Sequence, residues 1–286
     1  IRVNEGKFGS TLFINEKEFE ATNSGIELIG ALRGALEVLP ELKPRIPEIP
    51  YDGGMVGFTS YDMVRYLEDI EAVTLDSDGR YWLSDYPKDN VLEPPVCAYV
   101  APTSLLVFDH EENSMALMHS GNEEERILLR KRILDLVTEK KKEAPKQSRI
   151  YSLPDPNIDK DDFCRAVEKA KDHIYEGDIF QIVLSIAFTG TYNLDPFDVY
   201  RAMRLINPSP YMFYCKIDNF EVVGSSPEAL VRLNHKNASL RPIAGTRPRG
   251  KNKDEDAMNE KSLLSDEKEI AEHIMLVDLA RNDLGR

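Results

Sequence analysis

Two runs of strand-forming residues, Tyr211 to Ile217 and Phe220 to Gly224, are separated only by Asp218-Asn219. So short a connection joins strands as an antiparallel hairpin, because a parallel pair needs a crossover of about a dozen residues or more. A second pair of runs, Leu230 to Leu233 and Ala238 to Ile243, flanks His235-Lys236-Asn237 and reads the same way. Helical periods surround these hairpins. Asp159 is placed to cap a helix in which Phe163, Val167, Ala170 and Ile174 recur at i, i+4, i+7 and i+11, with Gly177 to end it. Ile179 to Phe188 reads as a strand, and Asp195-Pro196 opens a helix running to Ile206. Ser265 to Leu284 forms a last helix with Ile270, Ile274, Val277 and Leu279 on its apolar faces. Hairpins interleaved with helices agree with an α+β fold.

The first half is punctuated more loosely. Phe8 to Asn15 and Val96 to Phe108 have strand composition, and Ile26 to Val38 has the spacing of an amphipathic helix. Gly53, Gly54 and Gly57 lie just ahead of Phe58, Tyr61 and Tyr66, a density that suits close packing of strands or admission of a ligand; packing is the simpler reading. Asn122 with Glu125 forms a capping box ahead of a helix whose apolar face is Ile127, Leu128, Ile133, Leu134 and Val137. That helix dissolves into Lys140-Lys141-Lys142-Glu143-Ala144-Pro145, which reads as a solvated tether and divides the chain into 1–145 and 146–286.

Charge excludes one class of partner. The 286 residues carry a formal charge of -14, so a nucleic-acid backbone would be repelled. Cys97, Cys164 and Cys215 have neither metal-ligand nor redox spacing and are expected to be buried and reduced, in a cytoplasmic protein. No run of apolar residues is long enough to span a bilayer. The chain starts at Ile1 and stops inside a helical pattern, so both ends are expected to be cuts.

Three segments could carry chemistry. Glu269 and Glu272, three residues apart on the last helix, share one face. Such a pair is either a solvated helix start, favoured by the dipole, or a site bridged by a hard cation. Arg241 to Gly250 ends a strand in Gly245, Thr246, Arg247 and Arg249; it is a carboxylate-binding rim or a turn with exposed arginines. Asn207 to Tyr214 contains two prolines that fix the entry into a strand, and Ser225-Ser226-Pro227-Glu228 follows another strand. His110, His119, His173, His235 and His273 show no metal-ligand spacing with each other or with cysteine and read as structural or surface residues.

Taken in order, Gly177 to Ser185, Asn207 to Tyr214, Gly224 to Glu228, Arg241 to Gly250 and Asp266 to Arg286 resemble the chorismate-utilising enzyme family, and within it the anthranilate synthase component I branch. The resemblance implies an α+β fold of antiparallel β-sheets packed face to face with outer helices. It also implies a reaction of tryptophan biosynthesis: chorismate and ammonia give anthranilate and pyruvate, with Mg²⁺ and a glutamine amidotransferase subunit that supplies the ammonia. By the same resemblance Glu272 holds Mg²⁺, which in turn holds the ring carboxylate, and Glu269 assists. Gly245 and Thr246 bind substrate, with the Thr246 hydroxyl near the departing ring hydroxyl. Glu228 lies beside the reaction centre, and Pro210, Tyr211 and Met212 touch the feedback inhibitor tryptophan.

Two positions separate branches of the family. Aminodeoxychorismate synthases carry a nucleophilic lysine where this chain has Ala244. Isochorismate and salicylate synthases carry a water-activating lysine where it has Gln181, an amide that cannot act as that base. Family members also continue well past the equivalent of Arg286, with the catalytic histidine and a second pair of metal carboxylates in that part. The expectation is therefore an incomplete chain, inactive alone. Its alternatives are aminodeoxychorismate synthase component I and a silent fragment that only binds a partner subunit.

Overall fold

The computed structural model describes residues 2–6, 9–14, 17–20, 25–49, 51, 53–68, 95–139 and 150–285. They form two compact units, one of residues 1–194 with 216–220, the other of 195–215 with 221–286. The expected tether at 140–145 lies outside the described residues.

The first unit opens with strands β1 (Arg2–Gly6), β2 (Gly9–Ile14) and β3 (Lys17–Glu20), then helix α1 (Gly25–Glu37). Strand β4 (Val56–Thr59), helix α2 (Val64–Leu67) and strand β5 (Cys97–Val100) follow. The five strands make one antiparallel sheet in the order β3-β2-β1-β5-β4. The glycine-rich segment serves packing here: a Cβ on Gly57 would run into the Ala98 carbonyl and lie 2.7 Å from the Tyr99 Cα. Leu28, Met63, Val96 and Cys97 form the buried cluster beside this sheet, with Leu32 and Tyr99 packed against it.

Strands β6 (Ser104–Asp109) and β7 (Ser114–His119) form a separate hairpin, and α3 (Glu123–Thr138) follows it. The expected capping box is present: Asn122 Oδ1 accepts the Glu125 N–H at 2.9 Å, and Glu125 Oε2 accepts the Asn122 N–H at 3.0 Å. The apolar face does not behave as expected, since no residue of α3 is buried and Leu128 is 70% exposed.

Short strand β8 (Asp155–Pro156), helix α4 (Lys160–Glu176) and short strand β9 (Phe188–Thr189) complete the first unit, β8 pairing with β9. Asp159 caps α4 by accepting the Asp162 N–H at 2.8 Å. Gly177 ends it with φ +83°, a left-handed stop open to glycine at little cost. The expected strand from Ile179 to Phe188 is corrected: residues 179–187 are irregular, and only Phe188–Thr189 is paired. A strand persists only when a neighbour accepts its backbone hydrogen bonds. Among the described residues no ladder forms along 179–187, and Phe180 and Val183 are exposed.

The second unit begins with α5 (Pro196–Ile206), capped by Asp195, which accepts the Phe197 N–H at 2.9 Å. Strands β10 (Tyr211–Ile217) and β11 (Phe220–Ser226) pair across Asp218-Asn219, with Asp218 at φ +52° in the turn. Phe197, Tyr200 and Tyr214 form an aromatic cluster that packs α5 on β10, the Phe197–Tyr214 centroids 5.2 Å apart, edge to face. The Tyr214 hydroxyl donates to Glu221 at 2.5 Å, and that bond to a carboxylate pushes its pKa up to about 12.

Strands β12 (Arg232–Asn234) and β13 (Asn237–Ser239) form the second hairpin, shorter than expected and closed by His235-Lys236. Helix α6 (Lys253–Leu264), which sequence patterning did not suggest, precedes the last helix α7 (Glu267–Gly285). The fold is thus mixed α and β with antiparallel pairing. None of the cysteines is in a disulfide, but only Cys97 is buried as expected; Cys215 is half-buried and Cys164 is exposed on α4.

Candidate functional site

Gln181 lies in the first unit, and Pro210, Tyr211, Met212, Glu228, Ala244, Gly245, Thr246, Glu269 and Glu272 lie in the second. Its motifs gather into two groups. In the first, the Ser225 hydroxyl donates to the Asn207 carbonyl at 2.8 Å and lies 3.0 Å from the Ser209 hydroxyl. The end of β11 is thereby tied to the proline-braced entry of β10. Gly224 gives room on the same hairpin, because a Cβ there would collide with the Phe213 ring. Tyr211 is exposed and Met212 half-buried at the start of β10, next to Pro210. Ser226 Oγ turns the chain at Glu228 by donating to the Glu228 carbonyl at 2.8 Å, and the Glu228 side chain is half-buried.

The second group joins the segment after β13 to the first turn of α7. Gly245 has φ +80°, and a Cβ on it would lie 2.9 Å from Leu263 Cδ1 and 3.0 Å from Glu269 Oε2. A side chain is thus excluded twice over, by the left-handed backbone and by the carboxylate behind it. We expect Gly245→Ala to lower stability by about 1–3 kcal/mol, the usual cost of a non-glycine residue held in such a conformation. The urea midpoint reads this out; an unchanged midpoint would mean that the loop relaxes away from Glu269.

Asp266 organises the start of α7. Its Oδ1 accepts the N–H groups of Lys268 at 3.1 Å and Glu269 at 3.2 Å, so it acts as the N-cap. Its other oxygen accepts Arg247 Nη2 at 2.7 Å. Arg247 Nη1 also donates to Glu269 Oε1 at 3.3 Å and to the Thr246 carbonyl at 3.0 Å. The bond from the Glu269 N–H, reinforced by the Arg247 guanidinium, holds the Asp266 carboxyl below the usual carboxylate range. Such a group stabilises the folded state above the ordinary aspartate range and loses that contribution as the pH falls through its depressed value.

The structure therefore brings Gly245, Thr246 and Glu269 together, and adds Asp266, which sequence reasoning left without a role. Its signal was present: Asp266-Glu267-Lys268-Glu269 is a capping-box pattern. Glu269 does not close that box, because its carboxylate turns to Arg247. Glu272, one turn further on, is half-buried, and among the described residues it makes no hydrogen bond or ion pair. Glu228 has no bond to this group. Arg249 behaves differently from Arg247, since it is 90% exposed and pairs with Asp256 across the start of α6.

As a donor set, the first two turns of α7 suit a hard divalent cation. Glu272 offers an uncommitted carboxylate, and Glu269 stands on the same helix face with its Oε2 free of the guanidinium bond. The nearby arginine stops the two carboxylates from acting as an unrelieved like-charge pair. Outside this unit, His173, Glu176 and Asp178 also approach one another, but there His173 Nδ1 is bonded to Asp178 at 2.8 Å around the Gly177 turn.

Residues 11–286 match the family of chorismate binding enzymes. The chain belongs to that family. The chain is 38% identical to anthranilate synthase component 1 of Acetivibrio thermocellus, over 95% of its own length and 54% of that protein's. It is 36% identical to aminodeoxychorismate synthase component 1 of Bacillus subtilis, over 82% of its own length and 48% of that protein's. Among solved structures it resembles anthranilate synthase component I of Streptococcus pneumoniae, with a TM-score of 0.74 and 29% identity, covering 100% of this chain and 59% of that one. The chain thus spans about half the length of the curated relatives it matches. No helix among the described residues is long and apolar enough to cross a membrane.

Proposed function

We propose that this chain is the front part of an anthranilate synthase component I, with residues 146–286 belonging to its chorismate-binding domain. The observation that carries the reading is the seating of Gly245-Thr246 against Glu269 at the start of α7, in a chain 38% identical to an anthranilate synthase component 1. The proposed reaction takes chorismate and ammonia to anthranilate, pyruvate and water, in the cytoplasm. A glutamine amidotransferase subunit supplies the ammonia.

The roles are those that the family resemblance implies. Gly245 lets the backbone approach substrate without a side chain in the way. Thr246, exposed and with no hydrogen bond to its hydroxyl among the described residues, presents that hydroxyl to the departing ring oxygen. Glu228 and Glu269 supply carboxylates beside the reacting carbons, and Glu272 is the ligand for Mg²⁺. When bound, Mg²⁺ neutralises the ring carboxylate of chorismate. Pro210, Tyr211 and Met212, at the braced entry of β10, form part of a pocket for tryptophan as feedback inhibitor.

Ala244 supports this branch over aminodeoxychorismate synthesis, because no amine stands beside Gly245 to attack the ring. The test uses the full-length polypeptide that carries this chain, with chorismate, ammonium and Mg²⁺. Anthranilate is followed by its fluorescence and pyruvate by coupled reduction. Equal amounts of the two are expected. Untouched chorismate, or anthranilate without pyruvate, would refute the proposal.

A further inference from the structure

Arg247 makes three donations from one guanidinium: to a carbonyl of the loop and to two carboxylates of a helix that follows it by 19 and 22 residues. All three side chains involved are largely sheltered, at 25% exposure for Arg247, 34% for Asp266 and 24% for Glu269. A solvent-facing arginine pair contributes little, but a sheltered fork that satisfies several acceptors fixes geometry. The neighbouring Arg249, 90% exposed on a single carboxylate, shows what the weaker arrangement looks like in this chain.

What the fork holds, and what it leaves free, is informative. It holds the Thr246 backbone by its carbonyl while the Thr246 hydroxyl has no partner among the described residues. It engages one oxygen of Glu269 while Glu272, a turn away on α7, is left uncommitted. The loop is also pressed against the helix at Gly245, so the guanidinium closes a contact that has no slack. One side chain thus braces the residue that carries a hydroxyl, and it engages one oxygen of Glu269 while leaving both oxygens of Glu272 uncommitted.

We infer that Arg247 is a positioning residue: it fixes the Thr246 hydroxyl relative to α7 and reserves Glu272, not Glu269, as the carboxylate for a cation. The inference rests on the anthranilate synthase reading for its catalytic consequence, though not for the clamp itself. It touches no reacting atom. Its effect is to pre-organise groups whose contribution comes in the transition state, so its loss is felt in kcat more than in the KM for chorismate. Lysine keeps the charge but not the planar fork, and cannot make all three donations in this geometry.

The test compares Arg247→Gln and Arg247→Lys with the unsubstituted full-length polypeptide carrying this chain. For Arg247→Gln, kcat is expected to fall about a hundredfold with the chorismate KM changed less than about threefold, and Arg247→Lys to recover about a tenth of the lost rate. Hydrogen exchange is expected to quicken at residues 245–247 and 267–270 in both variants. A Mn²⁺ titration followed by electron paramagnetic resonance supplies a readout independent of turnover. With the repelling guanidinium gone and Glu269 released, Arg247→Gln should bind Mn²⁺ about fivefold more tightly. Quickened exchange with kcat and Mn²⁺ affinity both unchanged would reduce Arg247 to a structural ion pair and overturn the inference, as would exchange that does not change. If the unsubstituted protein makes no anthranilate, the proposed reaction fails instead, and the clamp is then decided by exchange and Mn²⁺ affinity together.

Discussion

Substituting Glu272 by Gln in the full-length polypeptide is expected to lower anthranilate formation by about a hundredfold at ordinary Mg²⁺, the loss of about 3 kcal/mol of charge stabilisation. The change is isosteric, so the helix itself should be undisturbed. What it removes is the half-buried carboxylate on the Glu269 face of α7, which has no internal partner among the described residues. Glu269 is a weaker substitute, because Arg247 donates to its Oε1 at 3.3 Å and leaves only Oε2 for a cation. Because the lost group binds a cation, part of the rate should return as Mg²⁺ is raised into the range where the weakened site refills. Steady-state rates over a Mg²⁺ series check both statements. Unchanged activity with no Mg²⁺ dependence would return Glu272 to the role of a solvated helix residue, the simpler of the two readings that spacing alone permits.

How much of this arrangement could be read from sequence depended on the range of the interaction. Signals confined to a few residues were legible. The caps Asn122, Asp159 and Asp195 all accept the expected backbone N–H groups, and Gly177 ends α4 in the left-handed conformation. The hairpin across Asp218-Asn219 formed as a connection of that length requires. Helix α6 escaped notice because it has no apolar period; only its cap, Asn252 accepting the Glu255 N–H at 2.9 Å, announces it. Residues 179–187 show the opposite failure. Their composition suits a strand, but a strand is a property of a pair, and no composition reveals whether a neighbour is present. The clamp at Arg247 was beyond reach for the same reason, since it joins positions 19 and 22 residues apart with no periodicity between them. The residue types at the site were legible, and their mutual geometry was not.

The position that tests the branch most sharply is Ala244, half-buried and immediately ahead of the Gly245 turn. The full-length Ala244 protein is expected to release pyruvate with anthranilate, whereas Ala244→Lys is expected to cut anthranilate formation about tenfold or more. The argument is one of space and charge. Ammonia reaches the ring as a small neutral nucleophile and needs only a clear path. A lysine placed next to Gly245 would stand on that path and bring a cation into a sheltered region already holding the Arg247 guanidinium, where a second positive charge is disfavoured. Its amine, once deprotonated, could also attack the ring itself and hold it as a covalent adduct. Chromatography of the reaction mixture, with pyruvate assayed in parallel, separates these outcomes. Aminodeoxychorismate without pyruvate from the Ala244 protein would move the chain to the branch of its Bacillus subtilis relative, aminodeoxychorismate synthase component 1. Isochorismate would show that a base other than a lysine at position 181 activates water. An Ala244→Lys protein that made anthranilate at the unsubstituted rate would show that ammonia approaches the ring from another side, and position 244 would then say nothing about the branch.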